Sequence, residues 1–284
     1  MWITIAMVAI SASPAESRDT EARDRSQNAY VAETKNFVVR SPSGQPAAHE
    51  VAAVCESWRE RLQKKWRGNT DAAVWQPKCE VIFYPNLNSY IAAVGRGGAQ
   101  TSGSSLIQFD RLGNVCVRQI DLRATQQGQQ SALPHELTHV VLADCFGGRQ
   151  PPRWADEGVA LLADSKEKQA RHQKDLDLTI RNNTTPRLAQ LLVPERYPFG
   201  AHRGTFYGQS LSLVEFLVKR DSPERFIRFA QQALEAGYDT ALQEHYQIDN
   251  VGELDLLWSK AVATGDGLAA TRTVTSPSPG AGGG

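Results

Sequence analysis

Residues 131–146 read SALPHELTHVVLADCF, and His135 and His139 lie in this stretch with Glu136 beside the first of them. Histidines one helical turn apart share a face, so both imidazoles can bind one metal ion. Glu136 would then reach a water molecule on that ion rather than the ion itself. The chain has only six histidines, which makes a chance pairing in this pattern uncommon. The alternative is a solvent-exposed histidine pair.

Local signals predict that this stretch is a helix. Ser131 is a suitable N-cap, and Pro134 falls in the first turn, where its missing N–H needs no partner. The apolar run 140–142 supplies surface for burial, and the glycine pair 147–148 ends the helix. The sequence therefore predicts a helix over 131–146 that packs against a core.

A second stretch, 152–160 (PRWADEGVA), offers a third metal ligand. Catalytic zinc usually takes three protein ligands and leaves one position open. A helix that runs back after the glycine turn would bring Glu157 to the ion. Asp156 is the alternative ligand, although the longer side chain of Glu157 reaches more easily. The small residues Gly158 and Ala160 suit close helix packing. Glu157 could instead be an ordinary solvated carboxylate.

Strand-like patterns fill the first half of the chain and helical patterns the second. The predicted strands are 35–40, 79–84, 105–110 and 115–123. The predicted helices are 47–67, 88–94, 131–146, 152–164, 169–181, 206–220, 223–236, 240–246 and 251–264. This order predicts an α+β fold.

HELTH followed by WADEGVA resembles the gluzincin metallopeptidases, specifically the bacterial peptidase MA-like group, with H-E-x-x-H and a downstream W-x-x-E-G-x-A. The resemblance covers roughly residues 78–220. It implies a zincin-like fold, in which a small mixed sheet packs on the active-site helix and a mainly helical half follows. It also implies one zinc ion, with Glu136 as catalytic base and three ligands: His135, His139 and Glu157.

The resemblance leaves the supporting residues open. Thermolysin-type gluzincins carry an acid four residues after the ligand glutamate, whereas Leu161 stands there in this chain. Asp164 or Asp144 could orient a ligand histidine instead. In zincins an edge strand above the site pairs with extended substrate, a form of β-augmentation. The stretches 105–110 and 115–123 are the candidates for that strand.

The ligand set predicts hydrolysis of peptide bonds in a peptide or protein substrate. Zinc acidifies a water molecule, and Glu136 takes its proton and passes it to the leaving amine. Tyr207 is the candidate oxyanion stabiliser, with His202 and Arg203 as alternatives, and it could equally be a core aromatic. No G-x-M-E-N-like segment appears, which favours an endopeptidase over an aminopeptidase. Two further hypotheses are a non-catalytic zinc-binding scaffold and a hydrolase of non-peptide amides.

The N-terminus predicts export to the periplasm or the extracellular space. Residues 2–12 (WITIAMVAISA) form an apolar run too short to span a bilayer, and small residues follow it. We therefore expect a signal peptide at 1–15 and a loose leader at 16–34. The run lacks Lys and Arg before it, so a buried N-terminal strand is the alternative.

The remaining chain is expected to form a metallopeptidase domain at 35–265, with a sheet-containing part at 35–130 and a helical, zinc-binding part at 131–265. A Ser/Pro/Gly-rich disordered tail would follow at 266–284. No other stretch is apolar and long enough to span a membrane. The 31 basic side chains equal the 31 acidic ones, which argues against nucleic acid as a partner.

An even number of cysteines suits an exported protein with disulfide bonds. The four cysteines allow three pairings, of which the sequence-local one is favoured: Cys55–Cys79 with Cys116–Cys145. The alternative is that the cysteines are free buried thiols.

Overall fold

The computed structural model describes residues 29–42, 47–68, 73–193 and 202–264. The predicted signal peptide and the predicted C-terminal tail lie outside these ranges, as does most of the predicted leader.

A five-stranded mixed sheet forms in the first half of the chain, in the order β1-β2-β3-β5-β4. The central strands β2, β3 and β5 are parallel, while β1 and β4 run antiparallel to their neighbours at the two edges. The strands are β1 Ala29–Glu33, β2 Phe37–Pro42, β3 Cys79–Tyr84, β4 Gly103–Phe109 and β5 Val115–Arg123.

The first strand corrects the prediction of a loose leader over 16–34 for its last residues, since residues 29–33 form a strand. All five residues of β1, Ala29–Glu33, pair with residues of β2, and Val31 lies opposite Arg40. Tyr30 and Val31 of this edge strand are exposed, so the segment lacks the alternation of buried residues that marks a strand in sequence. Backbone pairing with β2 therefore orders residues whose side chains predict little structure.

Helices dominate the second half, which confirms the α+β class. The helices are α1 Ala48–Arg67, α2 Leu87–Val94, α3 Leu133–Ala143, α4 Arg153–Leu161, α5 Lys166–Arg181, α6 Leu188–Leu192, α7 His202–Arg220, α8 Pro223–Ala236, α9 Tyr238–Tyr246 and α10 Val251–Thr264. Across the described ranges, we find no helix with the length and apolarity needed to cross a membrane.

Helix α3 lies between the sheet and the other helices, and every one of its residues is buried. Leu137, Val140 and Val141 join a core that continues into the sheet through Ile120 and Leu122. Helix α4 packs on α3 and on α7, while α5 packs on α7. The stretch that carries His135, Glu136 and His139 therefore lies on a helix that is buried along its whole length.

The start of α3 differs from the prediction that Ser131 caps it. Residues Gly128–Ala132 form a π-helical turn that leads straight into the helix. Ala132 occupies the N-cap position in an αR conformation and makes no side-chain cap. The chain is already coiled when it enters α3, so the extended backbone that a serine cap requires is absent there. Pro134 does lie in the first turn, as predicted.

The turn between α3 and α4 depends on its two glycines. Gly147 and Gly148 both have positive φ, at 56° and 81°, which L side chains rarely adopt. A Cβ on Gly148 would lie 2.4 Å from the Cα of Gly113, at the tip of the β4–β5 turn. This close backbone approach fixes where α4 begins relative to the sheet.

The cysteines do not form the predicted pairs. All four fall in the described ranges and are free thiols, with Cys55 and Cys79 buried and Cys116 and Cys145 half-buried. Burial raises the pKa of the Cys79 thiol well above its usual range, so this side chain behaves as a small apolar group.

Candidate metal centre

Three ligand-type side chains meet in the interior between α3 and α4. One ligand atom from each of His135, His139 and Glu157 lies within 4.8 Å of the others. Their residues are 1%, 2% and 0% exposed. The two imidazole rings are 5.0 Å apart at an angle of 76°, so they do not stack face to face. The structure thus brings together the three residues that the sequence singles out as metal ligands.

Close helix packing places Glu157. Its neighbour Gly158 faces α7, where a Cβ would lie 2.5 Å from the carbonyl oxygen of Ser210 and from Cγ2 of Val214. A glycine at this position lets α4 pack closely against α7. The preceding residue, Glu157, then points into the space beside α3. The sequence predicted small residues here for close packing of the two helices that hold the metal, whereas the close contact of Gly158 is with α7.

His139 is held by Asp156, the residue that was the alternative metal ligand. Its Nδ1 lies 2.8 Å from Asp156 Oδ1. The other ring nitrogen, Nε2, is buried and has no hydrogen-bond partner among the described residues. An aspartate that accepts the Nδ1 proton leaves the lone pair on Nε2, which is the arrangement that metal-binding histidines commonly adopt. Asp156 therefore contacts the candidate ligand His139, and Glu157 is left as the third candidate ligand.

The electrostatics of the site favour a positive charge beside His139. Burial lowers the pKa of His139, but the carboxylates of Asp156, Glu157 and Glu136 outweigh burial and raise the pKa to about 10. In the absence of a metal ion, a second proton on the His139 imidazole supplies this positive charge. A divalent cation would displace that proton on binding, since a ligand imidazole must be neutral.

His135 has a different support. Its Nδ1 lies 3.2 Å from Asp164 Oδ2, and its Nε2 lies 3.7 Å from Glu157 Oε2. Lys168 in turn makes an ion pair with Asp164 at 2.9 Å. Burial lowers the pKa of His135 to about 4, so this imidazole is neutral and ready to act as a ligand.

Of the two aspartates left open by the sequence, Asp164 is the one that contacts a ligand histidine. Asp144 makes a salt bridge to Arg118 at 2.7 Å and accepts a hydrogen bond from the Trp75 indole. Its contacts join α3 to β5 on the inner face of the sheet. Asp144 is therefore part of the structural core and not of the metal centre.

Glu136 lies against the edge strand β4. The Ser105 hydroxyl donates a hydrogen bond to Glu136 Oε2 at 3.0 Å, and both residues are buried. Burial raises the pKa of Glu136 to about 7. A carboxyl group with a pKa near neutrality can both accept and release a proton, which is the property of a general base that later acts as an acid.

Tyr207 of α7 also lies near the site. Burial, followed by the charge of Glu157, raises the pKa of its hydroxyl, so the phenol stays protonated and able to donate. The Arg203 guanidinium lies 6.0 Å from the ring centroid, and the His172 ring lies 5.3 Å away. The third candidate from this stretch, His202, belongs to the helix, but its side chain is outside the described part of the structure.

His172 is a site neighbour that the sequence does not reveal. It lies on α5, where a Cβ on Gly208 would meet its carbonyl oxygen at 2.5 Å. This close contact between α5 and α7 brings the imidazole against Tyr207. Ser105 and Lys168 were missed for the same reason, because long-range packing alone places them beside Glu136 and Asp164.

The donor set fits zinc. Two imidazoles and one carboxylate make up a common catalytic zinc site with a position left open. The buried Nε2 atoms of both histidines have no hydrogen-bond partner among the described residues, which a metal ion would satisfy. No protein-family model matches this chain, and the curated proteins searched include no match to it.

Proposed function

We propose that this chain is a zinc-dependent peptidase with a zincin-like fold, related to the gluzincins, that hydrolyses internal peptide bonds. The observation that carries the proposal is the buried cluster of His135, His139 and Glu157 with Glu136 on the same helix. Each histidine has a carboxylate at its Nδ1 atom, and the general-base candidate is held separately by β4. A structural zinc site would not need that fourth group.

Each side chain has a distinct task in the proposed reaction. His135, His139 and Glu157 would hold one zinc ion, which supplies an acidified water molecule and polarises the substrate carbonyl. Glu136 accepts the proton of the attacking water on a carboxylate oxygen and then donates it to the leaving amine. Tyr207 would donate a hydrogen bond to the oxyanion as negative charge develops on it.

The sheet supports a peptide as substrate. β4 is the last strand in the described sheet, so its outer edge has no partner strand among the described residues. β5 lies between β3 and β4 and has no open edge, which rules out 115–123 as the substrate-binding strand. A peptide that pairs with β4 would pass directly beside Glu136. The apolar N-terminal run supports the further proposal that the enzyme acts after export.

Cleavage of a diverse peptide library tests this proposal. The wild type is assayed zinc-loaded, stripped with a chelator and reloaded, beside His139→Ala treated identically. We expect cleavage inside peptides that requires zinc and is absent in His139→Ala. Zinc-independent cleavage would contradict the proposal. A wild-type protein that binds one zinc ion and cleaves nothing would favour a non-catalytic scaffold.

A further inference from the structure

We propose that Ser105 is a positioning residue that holds the carboxylate of Glu136 in the orientation needed for proton transfer. The inference rests on the proposed function and assigns β4 a second task besides pairing with substrate. Ser105 does not touch the reacting atoms in this proposal. It acts through the general base.

The contact is enclosed and directional. Ser105 is 0% exposed and Glu136 is 1% exposed, so water does not compete for either side chain. The Ser105 hydroxyl donates to Glu136 Oε2 at 3.0 Å, which is a normal length for such a bond. A hydrogen bond to a charged acceptor is stronger than one between neutral groups. Breaking this contact would leave a buried carboxylate oxygen without its donor.

A glycine on the same strand completes the fit. Gly103 lies two residues before Ser105 and so faces the same side of β4. A Cβ at Gly103 would lie 2.9 Å from Glu136 Cγ and 2.9 Å from Ala132 Cβ. β4 thus provides space for the methylene groups of Glu136 through Gly103 and a donor for its carboxylate through Ser105. Together these two residues fix the side chain along its length.

Orientation matters because the terminal torsion of a glutamate is soft. The last dihedral of this side chain has a broad, roughly two-fold distribution, so burial alone does not fix the plane of the carboxylate. The hydrogen bond to Oε2 does fix it and favours Oε1 as the oxygen that accepts the proton. Misplacing a catalytic group by about 1 Å can reduce the rate by about a hundredfold.

Steady-state kinetics on a peptide cleaved by the wild type test the role. We expect Ser105→Ala to lower kcat about tenfold, with KM and zinc Kd changed less than about twofold. Ser105→Thr keeps the hydroxyl and should restore most of kcat. In a Glu136→Gln background, Ser105→Ala should cause no further loss, since the group that it positions no longer functions as a base. Ser41→Ala is the matched control, because Ser41 is also 0% exposed and its hydroxyl has no hydrogen-bond partner among the described residues.

A double-mutant cycle on the metal-free proteins gives a readout that is independent of activity. Urea unfolding of the wild type, Ser105→Ala, Glu136→Ala and the double variant should show a coupling of about fivefold in the unfolding constant. Full kcat in Ser105→Ala, or no coupling, would overturn the inference. A wild type that cleaves no peptide would reject the proposed function and the role of Ser105 with it, even if the coupling showed that the contact is structural.

Discussion

Nδ1 of His139 lies 2.8 Å from Oδ1 of Asp156, one residue before Glu157. One turn of α4 therefore supplies both a candidate metal ligand and the carboxylate that orients another candidate ligand. Asp164, beyond the end of the same helix, lies 3.2 Å from Nδ1 of His135. The candidate ligands on α3 thus both have a carboxylate near Nδ1 on the side of α4.

Asp156→Asn should weaken zinc binding. The amide lacks the negative charge and can turn its NH2 group toward Nδ1, so it holds His139 in the required tautomer less firmly than the carboxylate does. Changes of this kind typically cost about 10- to 100-fold in metal affinity. Competition with a chromogenic chelator measures the Kd. Asp249→Asn, at an exposed position, is the control. An unchanged Kd in Asp156→Asn would show that this contact does not support the ligand.

Zinc should stabilise the folded chain through its three ligands. At a free zinc concentration of about 100 times Kd, binding adds about 2.7 kcal/mol to the free energy of unfolding. Thermal unfolding with zinc and with a chelator should therefore differ in the wild type and not in His139→Ala. If His139→Ala showed the same stabilisation, the ion would bind elsewhere.

Gly158→Ala should destabilise the fold and weaken zinc binding together. The new methyl group would meet the Ser210 carbonyl oxygen and Val214 at 2.5 Å, so α4 must move away from α7. Overpacking of this kind costs about 1–3 kcal/mol. Urea unfolding and the zinc Kd are the measurements. Gly252→Ala, where the nearest atom to a new Cβ is the side-chain oxygen of Asn250, is the milder comparison.

The pH dependence of stability should carry a contribution from Asp121. Burial raises its pKa to about 6, although Gln119 and Tyr84 donate hydrogen bonds to it. The folded state holds this proton more tightly than the unfolded chain, in which the pKa is about 3.9, so ionisation destabilises the fold as the pH rises from about 4 to 6.

Asp121→Asn removes that ionisation and keeps an acceptor for the Tyr84 hydroxyl. Relative to the wild type, the variant should gain about 2–3 kcal/mol of unfolding free energy between pH 3.5 and pH 7. These two pH values are roughly chosen to lie below the unfolded pKa and above the folded pKa of Asp121. Urea unfolding of metal-free protein at both pH values measures the difference. If the difference in unfolding free energy between Asp121→Asn and the wild type were the same at both pH values, the raised pKa of Asp121 would be contradicted.

Much of the fold follows from local sequence patterns. The strands at 79–84 and 115–123 and the helices at 223–236 and 251–264 begin and end where the sequence predicts. Their boundaries coincide with proline, glycine or polar residues. The short helix Leu188–Leu192 was not predicted, because five residues are too few to show helical periodicity.

The three candidate ligands could be selected from the sequence, whereas the residues around them could not. His135 and His139 share a helix face, and Glu157 follows in the next helix, so local spacing carries the information. The contact between Ser105 and Glu136 joins a strand to a helix, and no local pattern in either stretch predicts it. Asp156 and Glu157 are adjacent in sequence, and only the packing of α4 decides which one faces the other ligands.

The most direct test of the account is the kcat of Glu136→Gln against that of the wild type, both loaded with one zinc ion and assayed on the same library-derived peptide. We predict a fall in kcat of at least about a hundredfold with an unchanged zinc Kd, since the amide keeps the shape of the side chain but cannot take the proton. Equal kcat values in the two proteins would contradict the assignment of Glu136 as the base and the proposed mechanism with it.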